Sequence, residues 1–203
     1  MRDTRTPVPQ NAATSPRRRQ LLEAAVSVVA AGGMRGLTHR AVDARAGLPA
    51  GTCSAYLRTR AALVQALAAH VAAGLTEDVE ALGRRLASGP GDPARATAQI
   101  SDLFVGWLRD RDVVVTRLEL TLEAARDDEL AAVFTQWRER LLDVVEEVVA
   151  RTREVGARPH AEAVVAALEG VLLAALARPA RGRRAFVSRT VDAVLTAFAA
   201  GPR

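Results

Sequence analysis

An all-α fold of about nine helices is the class this sequence predicts, and three observations predict it. Hydrophobic residues make up 49% of the 203 positions but aromatics only 3%, so the core must be built from Ala, Val and Leu. Small aliphatic side chains suit closely packed helices, and no long alternating run of β-branched residues argues for strands. Apolar residues recur every three or four positions through most of the chain, in segments separated by Gly and Pro. The expected layout is a small N-terminal unit of three helices followed by a larger helical unit.

Taken in order, residues 1–14 are polar, contain Pro7 and Pro9 and have no apolar period. They read as a disordered arm. Ser15 and Pro16 have the chemistry of an N-cap followed by Pro at the first helical position. A helix is expected from Pro16 to about Ala31, with Leu22, Ala25, Val26 and Val29 on one face and Gly32-Gly33 ending it. Its first turn carries Arg17, Arg18 and Arg19. Cations there oppose the helix macrodipole by roughly 0.3–1 kcal/mol each, and a nearby phosphate backbone would reverse that effect.

The stretch from Thr38 to Arg60 reads as two short helices around a tight turn. Thr38 is the expected N-cap, His39 to Ala46 the first helix with Val42 and Ala46 on one face, and Gly47 its stop. Leu48 and Pro49 turn the corner, and Ala50 to Leu57 forms the second helix, burying Cys53 and Leu57. This is the layout of a helix-turn-helix, whose second helix can enter a DNA major groove; a plain αα-corner has the same spacing.

Beyond it, Leu63, Leu67, Val71, Leu75, Val79, Leu82 and Leu86 mark one long helix from Arg60 to about Leu86. Ser88 to Pro93 is a Pro- and Gly-rich loop. Helices follow from about Pro93 to Arg109, Arg111 to Arg126, and Asp128 to about Val155, with Gly156 and Pro159 at the next junction. Two further helices, about Pro159–Ala177 and Arg181–Ala199, end the chain. The first lines up Val164, Leu168, Val171, Leu172 and Ala175, the second Val187, Val191, Val194, Leu195 and Phe198. These faces suit a four-helix bundle with a second copy of the chain, and they would equally cover a core of their own.

Charge is distributed unevenly. All 28 basic residues are Arg, and residues 1–60 hold ten of them against Asp3, Glu23 and Asp43, a net of +7. The remaining 143 residues hold 18 Arg and 20 acids, a net of −2. A basic excess confined to the segment with the helix-turn-helix is expected where that segment faces phosphates. A single cysteine excludes an internal disulfide and fits a reducing compartment. The absence of an apolar leader and the charges interrupting the apolar runs point to a cytoplasmic protein without a membrane partner. His39, His70 and His160 are not joined by metal-ligand spacing, and no nucleophile–base pair is visible, so no metal, cofactor or catalytic role is expected.

At the turn the chain resembles the TetR/AcrR family of transcriptional repressors. The likeness rests on Gly36-Leu37-Thr38, Ala46-Gly47-Leu48, Gly51-Thr52, Tyr56 and the Thr59-Arg60 to Leu63 ending, and covers about residues 17–70. Leu48, Leu57, Thr59 and Arg60 replace the family's usual Val, Phe, Ser and Lys; Pro49, Cys53 and Ser54 depart from its Ser, Leu and Tyr. The resemblance implies a DNA-binding unit at 15–60 and an effector-binding and dimerisation unit at 61–203. It implies a homodimer on a pseudo-palindromic, double-stranded operator, most often a repressor, released by a small molecule. It also implies that Thr38, Thr52, Tyr56 and Arg60 hold phosphates and that Arg40 reaches a base edge, where an Arg fork pairs with guanine. Arg17, Arg18, Arg19, His39, Ala50, Gly51, Ser54 and Ala55 complete the expected DNA surface. With Ser54 and Ala55 so small, that surface offers few long donors, which leaves room for recognition through DNA shape.

For the effector site the sequence offers Phe104, Trp107, Phe134 and Trp137 as large rings in an otherwise aliphatic core, with Glu119 and Glu123 four apart on a neighbouring helix. A carboxylate among them implies a cationic or hydroxyl-bearing effector, while the same rings also serve simply to fill volume. Two other classes fit the composition: a helical enzyme or carrier using the C-terminal cavity, and an adaptor whose basic patch docks an acidic protein.

Overall fold

Nine α-helices and no strand occupy the described residues of the computed structural model, which are 15–88, 92–150 and 157–199. The expected arm at 1–14, residues 89–91 of the Pro- and Gly-rich loop, and the junction at Gly156 lie outside them. The helices are α1 (Pro16–Gly36), α2 (His39–Ala46), α3 (Thr52–Tyr56), α4 (Arg60–Ala87), α5 (Pro93–Arg109), α6 (Arg111–Ala124), α7 (Asp128–Ala150), α8 (Ala157–Leu176) and α9 (Arg183–Ala199).

Most N-termini are capped as their residue types predict. Ser15 Oγ accepts from the Arg18 amide at 3.1 Å, Thr38 Oγ1 from Ala41 at 3.1 Å and Thr59 Oγ1 from Ala62 at 3.0 Å. Asp92 and Asp127 do the same for α5 and α7, each at 3.0 Å. Every such bond satisfies an amide that the helix itself leaves without a partner. Gly47 ends α2 in the left-handed conformation, at φ 66° and ψ 33°. Two boundaries differ from expectation. Gly33 (φ 64°, ψ −174°) breaks α1 without ending it, and Met34 to Gly36 add a final turn. Helix α3 begins only at Thr52, because Pro49 and Ala50 are still in the turn.

The 28 residues of α4 form the spine, about 42 Å long at 1.5 Å per residue. Its N-terminal half packs on the α1–α3 unit and its length lies along α7. One continuous apolar cluster crosses residue 60: Leu21, Leu22, Val29, Leu37, Val42, Cys53 and Leu57 join Leu63 and Leu67, then Leu120 of α6 and Leu130 and Trp137 of α7. A second cluster fills the space between α4, α5, α6, α8 and α9, around Leu82, Phe104, Leu108, Val114, Leu172 and Val191.

The faces expected to form a dimer interface are turned inward. Val164, Val171, Leu172, Ala175, Val187 and Val191 are buried within the protomer. Leu168, Val194 and Leu195 are partly buried against the same second cluster, and Phe198 meets His160 edge to face at 5.3 Å. Helix α5, with Ile100, Phe104 and Leu108, supplies the partner that the sequence pattern left open. The outward side of α8 carries Ala163, Ala166, Gly170 and Ala174, with Leu173 55% exposed. By length and composition α8 is apolar enough to cross a membrane, but its Val and Leu face is buried in this core.

A Cβ added at Gly83 would lie 2.7 Å from Val144 Cγ1, whereas one at Gly74 on the same helix meets nothing within 4 Å. Both replacements by Ala gain helix propensity, up to about 1 kcal/mol. Overpacking of a well-filled contact costs about 1–3 kcal/mol. Thermal melts should therefore show Gly74→Ala raising Tm by about 2–4 °C and Gly83→Ala lowering it.

Candidate nucleic-acid interface and buried cavity

Helix α3 is five residues long and has Gly51 at its N-cap, so it has no side-chain cap of its own. The acceptor comes from α2. Asp43, only 2% exposed, takes the Gly51 amide on Oδ2 at 2.8 Å and the Cys53 amide on Oδ1 at 2.7 Å. A carboxylate accepting two amides at a helix N-terminus is favoured both by the bonds and by the helix dipole. The other end is held by His39, whose Nε2 lies 2.5 Å from the Leu57 carbonyl oxygen. That contact requires the Nε2–H tautomer as donor. Sequence reading placed His39 at the DNA surface; the ring is engaged in positioning α3. Asp43 was not singled out at all. Its signal was an acid in the middle of a short helix, eight residues before a glycine N-cap.

Cys53 is fully buried beside this carboxylate. Burial first, and the Asp43 charge second, push its thiol pKa up to about 11. The thiol is therefore protonated at neutral pH, as expected for a packing residue and not a nucleophile.

These contacts leave the other side of α3 open. Ala50, Gly51 and Ala55 are exposed, Tyr56 is 44% exposed, and Arg40 and Arg45 of α2 are exposed nearby in the motif. Thr52 Oγ1 donates to the Pro49 carbonyl at 2.6 Å and Ser54 Oγ to the Gly51 carbonyl at 3.0 Å. Both hydroxyls thus keep acceptor capacity but have their protons engaged locally. Arg60 Nη1 and Nη2 donate to the Leu37 and Met34 carbonyls, the latter at 2.7 Å, tying the start of α4 to the end of α1. Arg60 is therefore first a structural tie, whatever else its remaining N–H groups meet. The arginine triplet is divided: Arg17 bonds Gln20, which bonds the Ala46 carbonyl of α2, while Arg18 and Arg19 line an open cleft along α4. His70 lies in that cleft, and burial, with Arg18 and Arg19 nearby, holds its pKa below the usual value against the opposing pull of Glu23.

The larger unit holds a mainly apolar, partly open cavity of about 230 Å³. Of the sequence-predicted rings, Phe104, Trp107 and Trp137 line it; Phe104 and Trp107 stack at 5.6 Å. Phe134 packs instead against the first core cluster. Neither Glu119 nor Glu123 lines it. The Glu119 carboxylate reaches α1, where Oε2 accepts the Met34 amide at 3.3 Å beside the Gly33 break. Its spacing from Glu123 suggests a shared place near the rings, but α6 packs broadly on α1 and turns this residue there. The cavity's carboxylate is Glu169 of α8, paired with Arg117 of α6 at 2.5 Å and Arg138 of α7 at 3.1 Å. No group of His, Cys, Asp and Glu capable of holding a metal occurs among the described residues.

A family model described as the tetracycline repressor-like C-terminal domain matches residues 91–197. The chain belongs to the TetR family of transcriptional regulators. Solved structures of similar fold agree with this. One, described as a TetR-family transcriptional regulator from Mesorhizobium loti, has a TM-score of 0.76 at 17% identity, covering 91% of this chain and 95% of that one. A TetR-family member from Streptomyces coelicolor has a TM-score of 0.61 at 28% identity, covering 87% and 98%. The multidrug-binding protein EbrR, complexed with imidazole, has a TM-score of 0.58 at 28% identity, covering 87% and 96%. A search of the curated proteins found no match. Membership makes this chain a transcriptional regulator and not an enzyme.

In this regulator the Asp43 cap is the contact that α3 can least lose. Asp43→Ala strands two amides, each worth about 1–3 kcal/mol when buried without an acceptor. Urea unfolding should show a loss of about 2–4 kcal/mol, with Asp43→Asn intermediate because one acceptor oxygen remains. Amide exchange at Gly51 and Cys53 should accelerate in both variants, and Cys53 should become reactive towards alkylating agents at neutral pH.

Proposed function

We propose that this chain is a homodimeric, ligand-responsive repressor whose α3 helices read the two half-sites of a pseudo-palindromic operator. The observation that carries this reading is the asymmetry of α3: one side is fastened by Asp43, His39 and Cys53, and the other, beside Arg40, is open. A short helix held this firmly is a rigid reading element, and an N-terminal net charge of +7 supplies attraction to phosphates. Arg40 is the long donor for a base edge. Ala50, Gly51, Thr52, Ser54, Ala55 and Tyr56 provide close approach, acceptors and methyl contacts, and Thr38, Arg17 and the free N–H groups of Arg60 meet the backbone. Arg18 and Arg19, beside the α4 cleft, contribute field more than contact.

Dimerisation is proposed through the outward side of α8 and α9, where Ala166, Gly170, Leu173 and Ala174 allow close helix approach. The effector occupies the buried cavity. The signal passes along α6: Arg117 faces the cavity, Thr116 donates to the Val26 carbonyl at 3.0 Å, and Glu119 holds Met34. A shift of α6 thus moves α1 and, through Arg60, the start of α4, changing the separation of the two reading helices.

Footprinting and a salt titration test the DNA reading. The protein should protect two half-sites about one helical turn apart, with log K falling steeply and linearly as log salt rises. Arg40→Ala should cost about 1–3 kcal/mol and relax preference at one position per half-site. Equal affinity for random duplex would refute the operator reading, and a uniform loss across all sequences would reassign Arg40 to the phosphates.

A further inference from the structure

We propose that the buried cavity takes an apolar acid: a small aromatic or aliphatic body carrying one carboxylate or comparable oxyanion. This rests on the reading of the cavity as the effector site and names the class of its ligand. Most of the wall is hydrocarbon from α4, α5, α7 and α8, and the charged groups concentrate at one place, around Arg117 and Glu169. There the two Glu169 oxygens are both occupied, Oε1 by Arg117 and Oε2 by Arg138. Arg138 lies outside the cavity lining and is 41% exposed, so the wall itself presents the Arg117 guanidinium beside a Glu169 carboxylate whose oxygens are both already engaged. No other carboxylate among the described residues lines this cavity.

Two donors in the same wall have no acceptor. Arg117 Nε and Trp137 Nε1 are both buried without a hydrogen-bond partner. They are neighbours, since the Arg117 guanidinium carbon stacks 4.9 Å from the centre of the Trp137 ring. The Trp137 residue is 7% exposed and the Arg117 side chain 13%, so bulk water reaches neither freely. Trp107 in the same wall differs, because its indole N–H donates to Asp78 at 2.7 Å. Buried donors left unpaired are costly, and an oxygen bearing negative charge, met by a small turn of these two side chains, supplies the missing acceptors. A cationic ligand meets the opposite: a guanidinium in the wall and a carboxylate whose two oxygens are already taken by arginine. The 230 Å³ volume is roughly that of eight waters, which fits a one-ring acid.

Isothermal titration of the full-length, DNA-free protein with three probes of nearly the same shape tests this: 4-phenylbutyrate, 4-phenylbutyramide and 4-phenylbutylamine. The carboxylate should bind at least tenfold more tightly than the amine, with the amide between. Trp137→Phe keeps the ring and removes the donor, and Arg117→Lys keeps the charge and removes Nε–H. Each should weaken the carboxylate five- to tenfold while changing the amine less than twofold. If a variant fails to fold, the ranking of the three probes on the native protein decides alone. Equal binding of all three, tighter binding of the amine, or no binding of any at millimolar concentration overturns the proposal. DNA affinity measured separately distinguishes the two readings. Carboxylate binding that never alters DNA affinity sinks the effector role and leaves the ligand class standing. Release of DNA by the amine alone sinks the class and leaves the effector role.

Discussion

A buried carboxylate holds the shortest helix of this protein in place. Five residues are far too few for a helix to persist in water, because the nucleation cost is never recovered by propagation. Helix α3 exists because Asp43 supplies both acceptors its first turn needs and His39 closes its last. Both holding residues stand on α2, four apart, so one face of α2 grips both ends of α3. The burial of Asp43 is tolerable only because its oxygens each accept a charge-assisted bond in a low-dielectric site. Ala50, Ala55 and Tyr56 on the exposed side take no part in those two holding contacts.

The end of α1 plays a comparable part for the whole chain. Gly33 adopts a conformation open to glycine and strained for other residues, and this rotates Met34 out of the regular ladder. The freed groups are taken up from elsewhere: the Met34 amide by Glu119 of α6, and the Met34 and Leu37 carbonyls by Arg60 of α4. A local defect in one helix thereby becomes the junction of three. The Gly33 backbone sits against the Glu119 carboxylate at a distance that a Cβ would occupy at 3.4 Å.

Much of this was legible in the sequence, and the parts that were not share one cause. Helix existence and caps follow from local chemistry, so Ser15, Thr38 and Gly47 could be placed from residue type and spacing. Which way a helix turns its apolar face depends on partners remote in sequence. The stripe of Val171, Leu172 and Ala175 is equally good against a second copy or against the protomer's own core, and only the fold decides for the core. Glu119 differs from expectation for the same reason: α6 buries Val114, Thr116 and Leu120 while Leu122 is 60% exposed, so neither the buried face nor the helix it meets follows from spacing alone. Asp43 and Glu169 escaped notice because a lone acid on a short helix or beside small residues carries no pattern; their partners lie on other helices or past a turn.

These corrections bear on the function together. Removing Glu119 from the cavity and placing it at the α1 junction turns α6 from a wall into a lever. Arg117 at the cavity, Thr116 bonded to the Val26 carbonyl and Glu119 bonded to the Met34 amide lie within one turn of each other. A helix is stiff over that distance, so under the proposed effector reading a displacement of Arg117 would be delivered to α1 almost undiminished. The same shift in residue assignment changes the charge a ligand meets. With the two glutamates the cavity would have been an anionic site; instead its wall carries the Arg117–Glu169 pair, with Glu169 also held by Arg138 from outside the lining. Under that proposal the group that recognises the ligand and the groups that report its presence belong to one short segment of α6. Coupling in such an arrangement requires no pathway longer than a helical turn.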